Sequence, residues 1–258
     1  MLRRFRADDQ SPNHESSHAE HLAKAAQKRR TPKPGGLAAL LLLVGLVVNG
    51  RAADPGFHPI FDGSTLKGWD GEPGLWSAGG GILQGQSHGL LFANSFLIYR
   101  GGTPRDFDLK FQVRLTNGNS GLQYRSRIIG PWTVSGYQCE IANEPGKAGF
   151  LYEERGRKFV ALLGQSVAAS PSGHESVVAL LGTKEQYFAW GYYRPREWNA
   201  YEIVARGPYM AHYVNGFKTA EFFDEDANRA APEGVLALQI HAGTTMTVEF
   251  KDIVLKTL

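Results

Sequence analysis

Two stretches of this chain place an unusual set of polar side chains on one side of a strand. Asn119-Ser120-Gly121-Leu122-Gln123-Tyr124-Arg125 alternates polar with apolar, and Gly136-Tyr137-Gln138-Cys139-Glu140-Ile141 alternates in answer. Successive side chains of a strand point to opposite faces of its sheet. Leu122, Tyr124, Tyr137, Cys139 and Ile141 are therefore expected on one apolar face, and Gln123, Arg125, Gln138 and Glu140 on the other. Near the C-terminus Leu236, Leu238 and Ile240 alternate with Gln239 and His241 in the same way. An ordinary solvated strand face would carry Lys, Glu, Thr and Ser. A face of Gln, Arg, Glu and His suits a polyhydroxylated ligand.

Each of these residues has a chemical reading and a plain one. Glu140 is the acid/base candidate, or else a solvated strand carboxylate. Arg125 could clamp a hydroxyl or an oxyanion, or pair with Glu140 across neighbouring strands. His241 could be a base or a metal ligand, or a satisfied structural histidine. The segment from Gly149 to Arg157 packs two acids, two Arg and Tyr152 into a short stretch after a strand. It offers Glu154 as a catalytic group and Tyr152 as a binding group, or is a charged surface loop. Trp69, Trp132 and Tyr152 could stack on the C–H face of a sugar ring, although core packing is the usual fate of an aromatic. Asn119, Gln123, Gln138 and Gln239 complete the set as hydrogen-bonding contacts. Other chemistries lack their signatures: there is no Gly-x-Ser-x-Gly elbow, Walker loop, His-Glu-x-x-His or Cys-x-x-Cys.

The elements that must hold these residues are short strands. Phe107, Leu109, Phe111, Val113 and Leu115 alternate with Asp108, Lys110, Gln112 and Arg114, a half-buried strand. Gly79-Gly80-Gly81 punctuates a first hairpin, and Asn215-Gly216 between two apolar runs predicts a second. Thr183 and Gln186 have capping-box spacing ahead of a short helix. No firm period appears between Glu153 and Gly182, and Ser166 to Ser176 reads as a mobile surface loop. Many short strands with Gly turns predict an all-β chain, a β-sandwich or jelly roll.

The N-terminal part has another character. Leu37 to Val48 is an apolar run of twelve residues, preceded by Arg29, Arg30 and Lys33 and followed by Gly50-Arg51-Ala52-Ala53. That is a signal-peptide pattern, too short for a spanning helix of ~20 residues. Residues 1–53 are expected to be a basic leader plus signal peptide, and 54–258 a single secreted or periplasmic domain without stable membrane insertion. Of the 28 Lys and Arg and 25 Asp and Glu, nine and four lie in the first 53 residues, leaving 19 and 21 and a net of −2. The basic pI thus belongs to the leader, and a nucleic-acid partner is not indicated. Cys139 is the one cysteine, so no intramolecular disulfide forms, and its parity predicts a buried thiol.

Several motifs recur together in a known family. They include Phe61-Asp62-Gly63 with Leu66 and Gly68-Trp69, Asp106-Phe107-Asp108-Leu109, Gly118 to Arg125, Gly136 to Glu140, and Leu151 to Arg157. Glu197-Trp198-Asn199, Val214-Asn215-Gly216 and Gly234 to Gly243 continue the series. Over roughly Phe57 to Leu258 the chain resembles the 3-keto-disaccharide hydrolase family. The resemblance implies a concanavalin A-like jelly roll of two antiparallel sheets with the ligand on the concave face. It also implies action on glycosides oxidised at C3. A C3 ketone acidifies the C2 proton, so a base can remove it and expel the C1 substituent, and water then adds to the glucal. Glu140 or His241 would be the base, Arg125 or a divalent metal would hold the enolate, and Tyr152 and Glu154 would serve the leaving group. The rivals are a non-catalytic carbohydrate-binding module and a conventional two-carboxylate glycosidase, for which Glu153, Glu154 or Glu144 would partner Glu140.

Overall fold

The computed structural model describes residues 55–89, 91–243 and 245–258. The leader, the apolar run and the expected cleavage site lie outside the described residues. In chain order the first strands are β1 (His58–Pro59), β2 (Trp69–Asp70), β3 (Trp76–Gly79), β4 (Ile82–Ser87), β5 (Ser95–Tyr99) and β6 (Phe107–Asn117). They are followed by β7 (Asn119–Gly130), β8 (Thr133–Ala142), β9 (Leu151–Glu154), β10 (Lys158–Ala161), β11 (Gln165–Ala169) and β12 (Glu175–Leu180). After helix α1 (Lys184–Ala189) come β13 (Asn199–Arg206), β14 (Tyr209–Val214), β15 (Phe217–Asp224), β16 (Val235–Ile240) and β17 (Met246–Thr257).

The strands form two sheets. The larger runs β12-β11-β15-β14-β13-β6-β17-β4-β3 with β1 against β17, and the smaller runs β10-β9-β8-β7-β16-β5-β2. All pairings are antiparallel except β11 with β15, which run parallel. Alternation places Phe107, Leu109, Phe111, Val113 and Leu115 of β6 inward, where they join Leu122, Tyr124, Tyr137, Cys139, Ile141, Leu236, Leu238 and Ile240 in one core. The expected apolar face is thus the inner face of the smaller sheet, and Cys139 is fully buried there. At ~25 cal/mol per Å² of apolar surface, this two-sided burial is what holds the sheets together.

Local signals act where expected. Asn215 and Gly216 have φ of 49° and 86°, the left-handed pair that a two-residue hairpin requires. Thr183 caps α1, its hydroxyl accepting from the Gln186 amide while Gln186 accepts from the Thr183 amide. The stretch expected as a loop, Ser166 to Ser176, instead includes most of β11 and the start of β12. Neither strand alternates in sequence: β11 is Gln-Ser-Val-Ala-Ala, and β12 is an edge strand with Val177, Val178 and Leu180 exposed.

The outer face of the smaller sheet is not open along its length. The β7–β8 hairpin tip folds back over it, and the Trp132 carbonyl accepts from the Phe96 amide at 2.9 Å. Beneath the tip Phe96, Ile98, Val134, Val235 and Ala237 form a second, small apolar cluster. Polar residues occupy the rest of this face.

Candidate functional site

The floor of the site is built by strand parity. β8 presents Gln138 and Glu140, β7 presents Asn119 and Gln123, and β16 presents Gln239. Gln123 stands opposite Gln138 in the β7–β8 register. Glu140 is 6% exposed, with Asn119 Nδ2 donating to one carboxylate oxygen at 2.5 Å and Gln138 Nε2 to the other at 2.8 Å. Behind it, Gln123 Nε2 donates to Gln138 Oε1 at 2.7 Å and Ser126 Oγ donates to Gln123 Oε1 at 2.7 Å. Rotating the Gln123 amide would offer its nitrogen two backbone carbonyls at 3.2 Å and Ser126 Oγ at 2.7 Å, but set its oxygen against Gln138 Oε1 at 2.7 Å. The relay that ends on the carboxylate requires the first orientation, because Gln138 must keep its NH₂ for Glu140.

Side chains from β9 and three loops raise walls around this floor, enclosing a cleft of about 250 Å³. Tyr152 and Glu154 come from β9, His241 follows β16, Lys147 follows β8, and Asn94 precedes β5. Asn94 Nδ2 donates to Glu154 at 3.3 and 3.4 Å, and its Oδ1 accepts from the Ala242 amide at 2.9 Å. Asn94 therefore ties the His241 loop to the second carboxylate. The His241 Nδ1 lies 2.6 Å from the Ala242 carbonyl, which fixes the proton on Nδ1 and leaves Nε2 free. Tyr152 packs edge to face with both Phe150 and Phe159, its centroid 5.5 Å from that of Phe159.

The electrostatics follow from burial. Desolvation pushes the Glu140 carboxyl above its ordinary range, opposed by the bonds from Asn119 and Gln138 and by His241 and Lys147 nearby. Desolvation also raises Glu154, opposed by Asn94, Arg155 and His241. The Tyr152 phenol is raised by burial and by both carboxylates. Gln239 Oε1 is buried, lines the cleft and has no hydrogen-bond partner. A donor supplied by a ligand would satisfy it, and leaving such an acceptor unpaired costs about 1–3 kcal/mol.

The cleft thus gathers Glu140, His241, Glu154, Gln138, Gln239, Tyr152 and Asn119. Four expected residues lie elsewhere. Arg125 leaves the polar face because β7 carries one extra residue there: Tyr124 pairs with Tyr137, but Arg127 pairs with Ser135. Arg125 takes φ of 46° and donates instead to the Arg105 and Gly207 carbonyls and to Asp106 at 3.1 Å, so it neither reaches an enolate nor pairs with Glu140. Trp69 is in the core, its ring tilted against Tyr99 at 5.1 Å between centroids, with Nε1 bound to the Ile60 carbonyl. Trp132 lines a neighbouring cavity. Gln123 is fully buried and acts behind Gln138. Of the other carboxylates, Glu153 turns away to Arg157, and Glu144 is solvent-facing and bound to Lys147 at 2.7 Å. Among the described residues no three His, Cys, Asp or Glu side chains converge as metal ligands. Asn94, Lys147 and Phe159 joined the site without a sequence signal, since each lies outside the alternating polar pattern, while Phe150 belongs to the Gly149 to Arg157 segment already singled out.

The model of the 3-keto-alpha-glucoside-1,2-lyase-like domain matches residues 56–256. No curated protein matches the chain. Among solved structures, a candidate glycosyl hydrolase from Parabacteroides distasonis ATCC 8503 is 17% identical, with a TM-score of 0.52 over 78% of this chain and 99% of that one. A second from the same organism is 18% identical, with a TM-score of 0.50 over 79% and 94% of the two chains. A Bacillus subtilis protein of unknown function with a galectin-like fold is 11% identical, with a TM-score of 0.51 over 78% of this chain and 94% of its own. These likenesses establish the jelly-roll fold.

Proposed function

Because the chain belongs to the family of 3-keto-alpha-glucoside-1,2-lyase-like domains, we propose that its cleft binds a glycoside oxidised at C3 and breaks the C1–oxygen bond by elimination. Glu140 removes the C2 proton, whose electrons form the C2–C3 double bond of an enolate. Collapse of that enolate expels the C1 oxygen, and Glu154 gives this oxygen a proton. The products are a 2-hydroxy-3-keto-glucal and the released alcohol, and addition of water to the glucal completes a net hydrolysis. Lys147 is the basic side chain placed at the cleft to stabilise the enolate, and His241 Nε2 is open to accept from a substrate hydroxyl.

The observation that carries this reading is Glu140 itself. It is a buried carboxylate raised by desolvation, oriented by two amides, and it faces a cleft that holds a second raised carboxylate. Such tuning brings a carboxylate toward the range where it exchanges protons at working pH. Gln239 Oε1 supports a hydroxylated ligand. The apolar run Leu37 to Val48 with its basic flank supports export; an N-terminus near Ala53 on the secreted protein would establish it, and retention of residues 1–53 would refute it.

The test is NMR in D₂O with methyl 3-keto-α-glucoside and its unoxidised parent. Methanol release from the keto sugar alone, with deuterium entering C2, supports elimination. Cleavage of both sugars at similar rates points to a two-carboxylate glycosidase. Binding without cleavage of either makes the domain a carbohydrate-binding module.

A further inference from the structure

A second cavity, of about 260 Å³, adjoins the first, and Asn94 stands in the wall of both. Its rim carries Phe92, which is 93% exposed, and Trp132 at the tip of the folded-back β7–β8 hairpin. Trp132 is not loosely placed. It holds φ of 47°, an uncommon conformation for a bulky residue, with its carbonyl bound to the Phe96 amide at 2.9 Å and Nε1 to Asp70 at 3.2 Å. Glu72, also in this wall, accepts from Ser95 Oγ through one oxygen at 2.8 Å. Two aromatics beside a carboxylate, one fixed and one fully in water, match the two surfaces of a ring that has an apolar face and polar edges.

We propose that this second cavity is the subsite for the leaving group, a sugar or aryl ring on the far side of the glycosidic oxygen. The inference rests on the elimination reading for which ring lies in which cavity. Asn94 then marks the boundary at the scissile bond, and its contact with Glu154 sets the proton donor where the leaving oxygen emerges. Phe92 and Trp132 grip the leaving ring, so a glycoside with only a methyl aglycone forgoes that contact.

Binding of methyl and phenyl α-glucosides, each unoxidised and as the 3-keto form, would be measured by calorimetry on the full chain and on Phe92→Ala. Phe92 is too exposed for its loss to endanger folding, and a thermal melt would verify this. Wild type is expected to bind the phenyl glycosides more tightly than the methyl ones, and Phe92→Ala to lose about 2- to 10-fold on the phenyl compounds alone. Equal affinity for methyl and phenyl forms, an unchanged preference in Phe92→Ala, or no binding of any of the four overturns the proposal. A Phe92-dependent phenyl preference among the unoxidised sugars, without turnover of the keto forms, would keep the aromatic subsite and refute the elimination reading.

Discussion

Replacing Glu140 with Gln separates a catalytic carboxylate from a structural one, because the two roles make opposite demands on stability. The Glu140 carboxyl is raised in the folded state with both of its hydrogen bonds already counted. A group raised on folding contributes most below its unfolded pKa of ~4.3, and that contribution is lost as pH climbs through the folded value. Ionised Glu140 therefore opposes folding near neutrality, and the neutral amide does not. Gln brings its own loss, since Asn119 and Gln138 both donate to this side chain and only one can keep an acceptor, at about 1 kcal/mol. The absolute difference between the proteins is therefore small, but its pH slope is diagnostic. From about pH 4 upward, E140Q should gain on wild type by up to ~1.4 kcal/mol per pH unit until the folded pKa is passed. For a domain of this size that is about 3 to 5 °C in Tm per pH unit. Paired thermal melts at half-unit steps from pH 4 to 8 read it directly, and other titrating groups cancel in the difference. Turnover of the keto glycoside should fall ~10²- to 10⁴-fold. If wild type instead gains on E140Q as pH rises, the carboxylate is a structural anchor and the acid/base argument fails.

Arg125→Ala should lower stability by about 3 kcal/mol in urea unfolding, because two carbonyls and Asp106 lose their donor, while kcat of the folded protein stays at the wild-type value. Gly121→Ala should cut activity roughly tenfold with a stability loss near 1 kcal/mol: its Cβ would stand 2.3 to 2.6 Å from the Gln138 side chain and push that amide off Glu140. Kinetics paired with denaturation would show the split. His212 is buried and neutral, its pKa lowered by desolvation to about 4, with Tyr124 Oη at 2.9 Å from its Nε2. The unfolded imidazole takes up a proton near pH 6.5 and the folded one does not, so this stability is present above ~6.5 and declines toward pH 4, by about 3 kcal/mol in all. His212→Gln should flatten that decline in urea titrations at pH 7 and 4.5.

The sequence revealed what period-2 alternation can reveal. Gln138, Glu140 and Gln239 fell on the outer face, and Cys139, Tyr137 and Leu238 on the inner, because a buried face fixes strand register. Arg125 was misplaced by the same rule, which assumes an uninterrupted ladder. The bulge there leaves little trace in the sequence: Gly234 on the adjacent β16 side is needed because a Cβ would meet the Arg125 carbonyl carbon at 2.4 Å, but a lone Gly has many explanations. Strands β11 and β12 were missed because small or doubly exposed residues give no period. Asn94 and Lys147 reach the cleft from loops, and their convergence depends on where the sheets bring distant segments. Trp69 and Trp132 show the limit of residue type alone, since one fills the core and the other caps a hairpin.

The solitary thiol beside Glu140 also makes the protein report on its own opening. Cys139 is fully buried at the centre of the smaller sheet, and burial, with a smaller effect from Glu140, raises its thiol well above the ordinary range. In the closed protein it is therefore protected twice, by exclusion of reagent and by the scarcity of thiolate. Alkylation with iodoacetamide becomes a clock that runs only when β8 parts from its neighbours, and one labelled site gives one unambiguous mass shift. A ligand that seats on Glu140 should slow that clock, so pulse labelling can rank sugars for the cleft independently of turnover.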